Sequence, residues 1–186
     1  MNVYDFDGTI YHGDSSVDFF LFALKRKPAL IQFLPTQSMG FVLYSLKRIG
    51  KTELKERFFS FLSAVDVEKQ VEVFWDLNQH KIFKWYLEQQ RPDDIIISAS
   101  PEFLLKPICR RLGVNRLIAS RVDTGTGKFI GDNCRGEEKV RRFVSEYHVT
   151  QIDKFYSDSC VDLPLAQIAD RAFLIKNGTV TEWKGH

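Results

Sequence analysis

The uneven distribution of strand-forming segments is the feature that most constrains the fold of this chain. Residues 1–12 and 92–186 alternate short β-branched or aromatic runs with helical stretches, whereas residues 14–90 carry almost no strand signal. The run D-I-I-I-S at residues 94–98 is typical of a strand buried on both faces. Strands that alternate with helices favour a parallel sheet covered by helices. The sequence therefore predicts an α/β fold with a Rossmann-like, three-layer parallel-sheet core, and a hairpin at Asn177-Gly178.

The strand-poor block has a composition of its own. It holds 10 of the 16 Phe residues, and apolar residues such as Phe58, Leu62 and Val65 recur in it at helical spacing. A helical block that follows the first strand, with α/β alternation resuming afterwards, indicates an insertion. We therefore predict an α/β core formed by residues 1–13 and 91–186 and a helical cap formed by residues 14–90.

Composition and charge argue against several classes of protein. A net charge of +2, with no run of Lys and Arg along a single face, argues against nucleic acid as a partner. The three cysteines are widely spaced and form neither a metal-binding pair nor a disulfide framework, so a reducing, cytoplasmic location is expected. We recognise no signal peptide and no apolar run of about 18 residues, which predicts that no helix spans a membrane. Nothing in the sequence indicates an oligomeric state.

The most informative residues are Asp5-Phe6-Asp7-Gly8-Thr9, which follow the first predicted strand. Two carboxylates two positions apart at a strand end project toward the same site, and Gly8 lets the backbone turn away. Such a pair suits phosphoryl transfer, in which one carboxylate attacks phosphorus and the other protonates the leaving oxygen. A divalent cation is then needed to offset the repulsion between these anions and a phosphate. The alternative is a polar turn after an edge strand.

Further polar residues follow later strands or begin later helices. Ser98 ends the I-I-I-S strand, where its hydroxyl can hold a phosphate oxygen, and Lys139 lies about one turn into a predicted helix. Asp158 and Asp162 follow another predicted strand and supply hard oxygen ligands suited to Mg²⁺. Because ligands bind at the carboxyl ends of parallel strands, we expect these residues to converge with Asp5.

Together, D-F-D-G-T, the strand-end serine, the downstream lysine and S-D-S-C-V-D resemble the four motifs of the haloacid dehalogenase-like hydrolases. The helical insertion, with C-R-G-E-E-K and S-D-S-C-V-D-L-P-L, is similar to the phosphoserine phosphatase-like branch. This resemblance implies Mg²⁺-dependent hydrolysis of a small phosphorylated metabolite through an aspartyl-phosphate. Asp5 would be the nucleophile and Asp7 the general acid/base, and the acid at position 7 favours ester hydrolysis over dehalogenation.

The resemblance also implies which residues bind the metal and the phosphate. Ser98 and Lys139 would hold the transferring phosphoryl group. Mg²⁺ would be held by acidic residues: the carboxylates of Asp5 and Asp158 and the main-chain carbonyl of Asp7, with Asp162 in support. Three alternatives stay open, namely a phosphotransferase to a second alcohol, a phospholipid head-group phosphatase at the membrane surface, and a non-catalytic binding protein that keeps the fold.

The chain departs from the family pattern at two places. After Ser98 it has Ala99-Ser100-Pro101, where phosphoserine phosphatases typically carry a Gly-Gly pair, which puts specificity for an amino-acid substrate in doubt. The lysine is also not unique, since some relatives place it directly before the glycine, where this chain has Arg135. Lys139 is the assignment that we favour, and Lys128 is a further candidate.

Three other residues or motifs have simpler interpretations. Gly125-Thr126-Gly127-Lys128 lacks the following Ser or Thr and the following helix that a phosphate-binding loop needs. His12 lies near the first motif, but a lone histidine is usually a bystander. Cys160 sits between the two acids of the last motif, where a small residue fits.

Two residues of the predicted cap are candidates for substrate binding. Asp14 lies where the chain enters the cap, a position at which phosphoserine phosphatases use an acid to contact the substrate amino group. It also suits the N-cap of the following helix. Arg57 has the charge to bind a substrate carboxylate, and the alternative is an exposed helical arginine.

The cap also has an unusual charge pattern. Residues 19–52 contain no acidic residue, but carry Lys25-Arg26-Lys27 and Lys47-Arg48 with Lys51 between runs rich in Phe and Leu. This pattern is compatible with an amphipathic surface that touches anionic lipid. The alternative is a cap that packs its apolar residues internally and whose basic ends suit an anionic substrate.

Overall fold

The computed structural model describes residues 1–148 and 151–184 of the chain. Its strands are β1 (Asn2–Tyr4), β2 (Ile95–Pro101), β3 (Arg116–Ser120), β4 (Ile152–Ser157), β5 (Ala169–Lys176) and β6 (Thr179–Glu182). They form one sheet in the order β3-β2-β1-β4-β5-β6, in which the first five strands are parallel and β6 runs antiparallel to β5. The predicted Rossmann-like parallel sheet is therefore confirmed.

Helices of very different length lie between the strands. They are α1 (Ser15–Arg26), α2 (Leu34–Ser45), α3 (Lys51–Phe59), α4 (Val67–Asn78), α5 (Lys84–Gln89), α6 (Glu102–Arg111), α7 (Glu137–Tyr147) and α8 (Leu163–Ala166). The first five follow one another between β1 and β2, as the strand-poor block predicts. Within the described ranges, none of the helices is long and apolar enough to cross a bilayer.

Side chains on the strands alternate between two apolar clusters, one on each face of the sheet. Tyr4 and Ile96 belong to the cluster shared with α1, α4 and α6. Val3, Ile95 and Phe155 belong to the cluster shared with α7 and α8. This alternation is the two-residue period of a β-strand. Because both faces are covered, the interior strand β2 needs consecutive apolar residues, which explains the I-I-I run.

The helices between β1 and β2 share an apolar cluster with one face of the sheet. The ring of Trp75 on α4 packs edge-on against Phe6 and Tyr11, at centroid distances of 5.9 and 5.5 Å. Its Nε1 donates a 2.7 Å hydrogen bond to the carbonyl of Leu104 on α6. Part of the helical block is thus fixed directly to the α/β core, and the cap boundaries at residues 14 and 90 stay a prediction.

The strands β5 and β6 form the predicted hairpin. Asn177 and Gly178 have φ values of 50° and 79° and connect β5 to β6. Two consecutive positive φ angles match the twist of a two-residue hairpin, and Asn-Gly is the pair that adopts them most readily. The hairpin adds β6 as the edge strand beside β5.

Candidate active site

Neighbouring parallel strands bring the predicted site residues to one edge of the sheet. Asp5 follows β1 directly, and its main-chain N donates a 2.9 Å hydrogen bond to the carbonyl of Tyr156 in β4. Ser98 lies in β2, and Asp158 follows β4. Because β2 and β4 flank β1, these residues lie at the same end of the sheet, the carboxyl ends of its parallel strands, where ligands bind in folds of this type.

Lys139 places a buried cation between two carboxylates. Its Nζ lies 3.0 Å from Oδ1 of Asp5 and 2.8 Å from Oδ2 of Asp162, and its side chain is only 2% exposed. Ser157 donates a 2.8 Å hydrogen bond from Oγ to the same oxygen of Asp162. Burial alone would lower the pKa of Lys139, but the charges of Asp5 and Asp162 raise it well above its usual range. Lys139 therefore stays positively charged beside Asp5.

Hydrogen bonds hold both carboxylate oxygens of Asp7. Ser15 donates from its main-chain N to Oδ1 at 2.7 Å, and Ser100 donates from Oγ to Oδ2. Burial, together with the negative charge of Asp14, raises the pKa of Asp7 to about 6 in spite of these donors. A carboxyl group that titrates close to neutral pH can both give and take a proton, as a general acid/base must.

Gly8 lets Asp158 approach the loop that follows β1. Gly8 has a φ of +70°, and a Cβ at this position would lie 2.1 Å from Oδ2 of Asp158. Any side chain here would displace the Asp158 carboxylate, in addition to the strain of a positive φ. The glycine of D-F-D-G-T is therefore required for a close approach between two strand-end loops as well as for the turn.

Ser98 and Ser100 form a short polar ladder at the end of β2. The Oγ of Ser98, which is buried, accepts a 3.1 Å hydrogen bond from the main-chain N of Ser100. The Oγ of Ser100 in turn reaches Asp7 and lies 3.3 Å from Oγ of Ser16 on α1. In the sequence, Ser100 stands out only as part of the departure from the Gly-Gly pair. The structure shows that it links β2 to Asp7 and to the first cap helix.

Of the three candidate cations, the structure brings Lys139 to Asp5. Arg135 is exposed. Lys128 pairs with Glu56 of α3 at 3.2 Å. The G-T-G-K segment is a turn, and the next helix, α7, begins only at residue 137, so the segment lacks the helix that a phosphate-binding loop needs.

Asp14 caps the helix α1 and also lies beside the candidate active site, the two roles that the sequence left open. Its Oδ1 accepts hydrogen bonds from the main-chain N of Ser16 at 2.9 Å and of Val17 at 3.0 Å, which makes it the N-cap of α1. It also lines a pocket together with Asp7 and Asp158. The N-cap interpretation is therefore correct, and it leaves Asp14 beside the catalytic candidates.

The partners of Arg57 lie within the predicted cap and not at the candidate active site. Its guanidinium pairs with Glu53 at 2.9 Å on the exposed side of α3, and its stem lies against Gly40 of α2. His12 packs its ring against Phe83 at a centroid distance of 5.6 Å. Among the described residues, neither side chain has a hydrogen bond to the carboxylates of Asp5, Asp7 or Asp158.

Lys55, which the sequence analysis did not single out, reaches the core from α3. Its Nζ donates a 2.7 Å hydrogen bond to the carbonyl of Ala99 and lies 3.4 Å from Oδ1 of Asn133. Burial lowers the pKa of Lys55 to about 8, while the charges of Asp14 and Asp7 act in the opposite direction. The sequence carries no signal of this contact, because solvated lysines are common on amphipathic helices.

The acidic groups at this edge suit a hard divalent cation. Asp5, Asp7 and Asp158 offer only oxygen, and Mg²⁺ is usually bound by one or two carboxylates while it keeps several waters. Within the described part of the chain, no three His, Cys, Asp or Glu side chains form a complete metal cage, so main-chain oxygen and water would have to complete the coordination. Burial raises the pKa of Asp5 to about 7 against the opposing charge of Lys139. A cation beside Asp5 would favour its ionised form, so these residues fit Mg²⁺.

Comparison with known proteins identifies the class to which this fold and site belong. The family model of the haloacid dehalogenase-like hydrolases matches residues 3–167. The chain therefore belongs to the haloacid dehalogenase-like hydrolases, as the four motifs indicated.

Two curated relatives show how far the similarity extends. A histidinol-phosphatase of Neisseria meningitidis is 31% identical over 91 residues, which cover 41% of this chain and 40% of the relative. The protein CicA of Caulobacter vibrioides is 25% identical over 189 residues, covering 90% of this chain and 82% of CicA. The chain thus spans less than half the length of the histidinol-phosphatase that it matches.

Solved structures share the fold over most of the chain. A Bordetella pertussis protein of unknown function superposes with a TM-score of 0.76 and 22% identity, covering 92% of this chain and 87% of that one. A substrate-bound phosphoserine phosphatase superposes with a TM-score of 0.59 and 14% identity, covering 92% and 83%. At these identities the likeness concerns the fold alone. It confirms the fold of the phosphoserine phosphatase-like branch.

Proposed function

We propose that the protein is a Mg²⁺-dependent phosphatase that hydrolyses a small phosphate monoester through an aspartyl-phosphate on Asp5. The observation that carries this proposal is the contact between Lys139 and Asp5, 3.0 Å apart at the ligand-binding edge of the sheet. A buried, permanently charged lysine beside the attacking carboxylate supplies fixed positive charge where a phosphoryl group is transferred.

In the first step, a carboxylate oxygen of Asp5 attacks phosphorus and forms an acyl phosphate. The bond between phosphorus and the oxygen of the substrate alcohol breaks, and protonated Asp7 gives its proton to that oxygen, so the alcohol leaves neutral. A pKa of about 6 keeps a fraction of Asp7 protonated near neutral pH. Ser98 and Lys139 hold the phosphoryl oxygens during the transfer.

In the second step, ionised Asp7 takes a proton from a water molecule as that water attacks phosphorus. The bond between phosphorus and Asp5 breaks, inorganic phosphate is released, and the Asp5 carboxylate is regenerated. The hydrogen bonds from Ser15 and Ser100 keep Asp7 in one orientation for both steps.

The residues that hold Mg²⁺ in this proposal are Asp5 and Asp158 through their carboxylates and Asp7 through its main-chain carbonyl. When bound, Mg²⁺ offsets the repulsion between the substrate phosphate and the acidic groups. Asp162 supports the site by a different route, because it accepts from both Lys139 and Ser157 and so fixes the position of the lysine.

Lys55 replaces Arg57 as the cap residue that we propose to face the substrate. It lies against the carbonyl of Ala99, directly after Ser98 in β2, whereas Arg57 is paired with Glu53. A substrate phosphate would bring a further negative group close to Lys55, in addition to Asp14 and Asp7, and so favour the charged form of the lysine.

The test is release of inorganic phosphate from p-nitrophenyl phosphate, with added Mg²⁺ and after chelation of the metal. We expect turnover that depends on Mg²⁺, a higher Mg²⁺ requirement in Asp158→Asn, and no change in the exposed control Asp93→Asn. A wild-type protein without Mg²⁺-dependent turnover would contradict the proposal. Adding an alcohol acceptor separates hydrolysis from phosphoryl transfer, since only transfer yields a new phosphate ester.

A further inference from the structure

The helix α2 and its flanks form an exposed apolar surface. Among the described residues, seven of the fifteen large apolar side chains that are exposed lie in residues 31–46, which we call the apolar cap surface. Five of the seven are exposed by 53–63%: Ile31, Met39, Phe41, Val42 and Leu46. The helix has no charged residue. Apolar surface concentrated in this way marks an interaction site.

One side of α2 packs against α3, and the exposed apolar side chains lie on its other side. Gln37, one of its two buried residues, donates a 2.9 Å hydrogen bond from Nε2 to the carbonyl of Phe58 on α3. Gly40, the other, lies against the side chains of Leu54 and Arg57. One side of α2 is therefore fixed to α3, and most of its other side chains are exposed.

Basic residues flank this surface at both ends. Residues 19–52 contain six cations and no acidic residue, although the whole chain has a net charge of only +2, so the remainder of the chain is net negative. Lys51 lies over the ring of Tyr44 at 5.3 Å from its centroid. The cations are Lys25, Arg26 and Lys27 before the apolar cap surface, and Lys47, Arg48 and Lys51 after it.

We propose that the apolar cap surface docks on an anionic lipid bilayer. An uncharged helix with cations at both ends matches an interfacial segment that buries apolar side chains at the acyl boundary while its lysines and arginines contact anionic head groups. A second copy of the chain, paired through the same surface, would bring like charges together at the rim, and this opposes self-association. This inference goes beyond the proposed function and holds whether or not the site hydrolyses phosphate esters.

A pocket connects this surface to the candidate active site. The pocket has a volume of about 210 Å³, and its lining includes Phe41 of α2, Lys51 and Lys55 of α3, and Asp14 and Ser100 beside Asp7. Docking through the apolar cap surface therefore places the mouth of this pocket at the level of the lipid head groups.

The experiment measures binding of the full chain to sedimented vesicles of phosphatidylglycerol and phosphatidylcholine, compared with vesicles of phosphatidylcholine alone. We expect binding to the anionic vesicles that falls as salt is added. The double variant Val42→Ser/Leu46→Ser should bind at least about tenfold more weakly. The matched control Leu77→Ser/Ile130→Ser changes two equally exposed apolar residues elsewhere and should bind as the wild type does.

The charged rim is tested in the same way. Lys25→Gln/Arg48→Gln should weaken binding roughly thirtyfold, because each of the two surface cations contributes roughly 1 kcal/mol near an anionic membrane. The control Lys106→Gln/Lys184→Gln removes two exposed cations outside the rim and should leave binding unchanged. A wild-type protein that does not sediment with anionic vesicles would overturn the proposal, as would self-association that Val42→Ser/Leu46→Ser abolishes. Turnover of p-nitrophenyl phosphate without vesicles tests the catalytic proposal separately.

Discussion

Nζ of Lys139 lies 3.0 Å from the carboxylate of Asp5, and the two side chains are only 2% and 13% exposed. A buried lysine beside a buried carboxylate is costly to desolvate, and Lys139 also lies 2.8 Å from a second buried carboxylate, that of Asp162. The arrangement keeps a fixed positive charge next to the proposed nucleophile. Removal of the lysine would leave both buried carboxylates without their cation, which leads to the first prediction.

Lys139→Met should destabilise the protein by ~3–5 kcal/mol, because it leaves two buried carboxylates without their cation. Urea unfolding without metal measures the loss. Mg²⁺ should restore part of it, since a second cation can replace the missing charge. Lys106→Met, on an exposed position of α6, serves as the control and should change stability little. A Lys139→Met protein as stable as the control would contradict the role assigned to this ion pair.

Gly8→Ala and Gly113→Ala separate backbone strain from steric contact. The two glycines have φ values of +70° and +72°, but a Cβ at Gly8 would meet Asp158 at 2.1 Å, and one at Gly113 would meet nothing within 4 Å. Both variants should lose ~1–2 kcal/mol of stability from the left-handed backbone. Only Gly8→Ala should also raise the Mg²⁺ concentration needed for half-maximal activity. Equal Mg²⁺ requirements in the two variants would show that the position of Asp158 at the metal site does not depend on the absence of a side chain at residue 8.

Lys55 should give the reaction an alkaline limit. Burial lowers its pKa to about 8, below the value of a free lysine, so its charge is lost as pH rises through about 8. The same shift means that charged Lys55 costs stability below this pH, and that the cost disappears at higher pH. For a phosphate substrate, kcat/KM should fall above about pH 8 because the cation that faces the anion is lost.

The matched variant for this prediction is Lys55→Arg, since arginine keeps its charge at all accessible pH values. In a pH series of kcat/KM, the alkaline decline should move to higher pH in Lys55→Arg. A decline at the same pH in both proteins would assign the limit to a different group.

Ser100→Ala should lower kcat by about tenfold or more, because a hydrogen bond to a charged carboxylate contributes about 1.5–3 kcal/mol. The variant removes the Oγ donor to Asp7 and leaves Oδ1 held by Ser15. Ser63→Ala is the control, since Ser63 donates only to the carbonyl of Ser60 on the exposed side of the cap. Steady-state kinetics at saturating Mg²⁺ measures the difference, and equal kcat values would exclude a positioning role for Ser100.

The sequence was sufficient to predict the α/β core and to place Asp5 and Asp158 after neighbouring strands, with Lys139 near the start of a helix. Each of these residues follows a strand or lies near the start of a helix, and parallel strands bring such positions to a common edge. The continuous apolar run of β2 predicted a strand covered on both faces, and the structure confirms this. Local pattern and topology therefore carried this part of the prediction.

The contacts between the helical block and the core were not predictable in the same way. Lys55 and Arg57 lie two residues apart on α3. The i,i+4 spacing of Glu53 and Arg57 is compatible with their ion pair, but nothing in the local sequence shows that Lys55 reaches Ala99. Such contacts depend on how α3 is oriented on the core, which local periodicity does not determine. The role of Ser100 depends in the same way on contacts with Asp7 and Ser16, which lie far from it in the sequence.

The most direct test of the central claim is the turnover of p-nitrophenyl phosphate by Asp5→Asn at saturating Mg²⁺. Asparagine preserves the shape of the side chain but removes the carboxylate that attacks phosphorus, so kcat should fall by at least about a thousandfold. Asp93→Asn should keep wild-type activity, and urea unfolding should show that both variants are folded. Near-normal, Mg²⁺-dependent turnover in Asp5→Asn would contradict the assignment of Asp5 as the nucleophile.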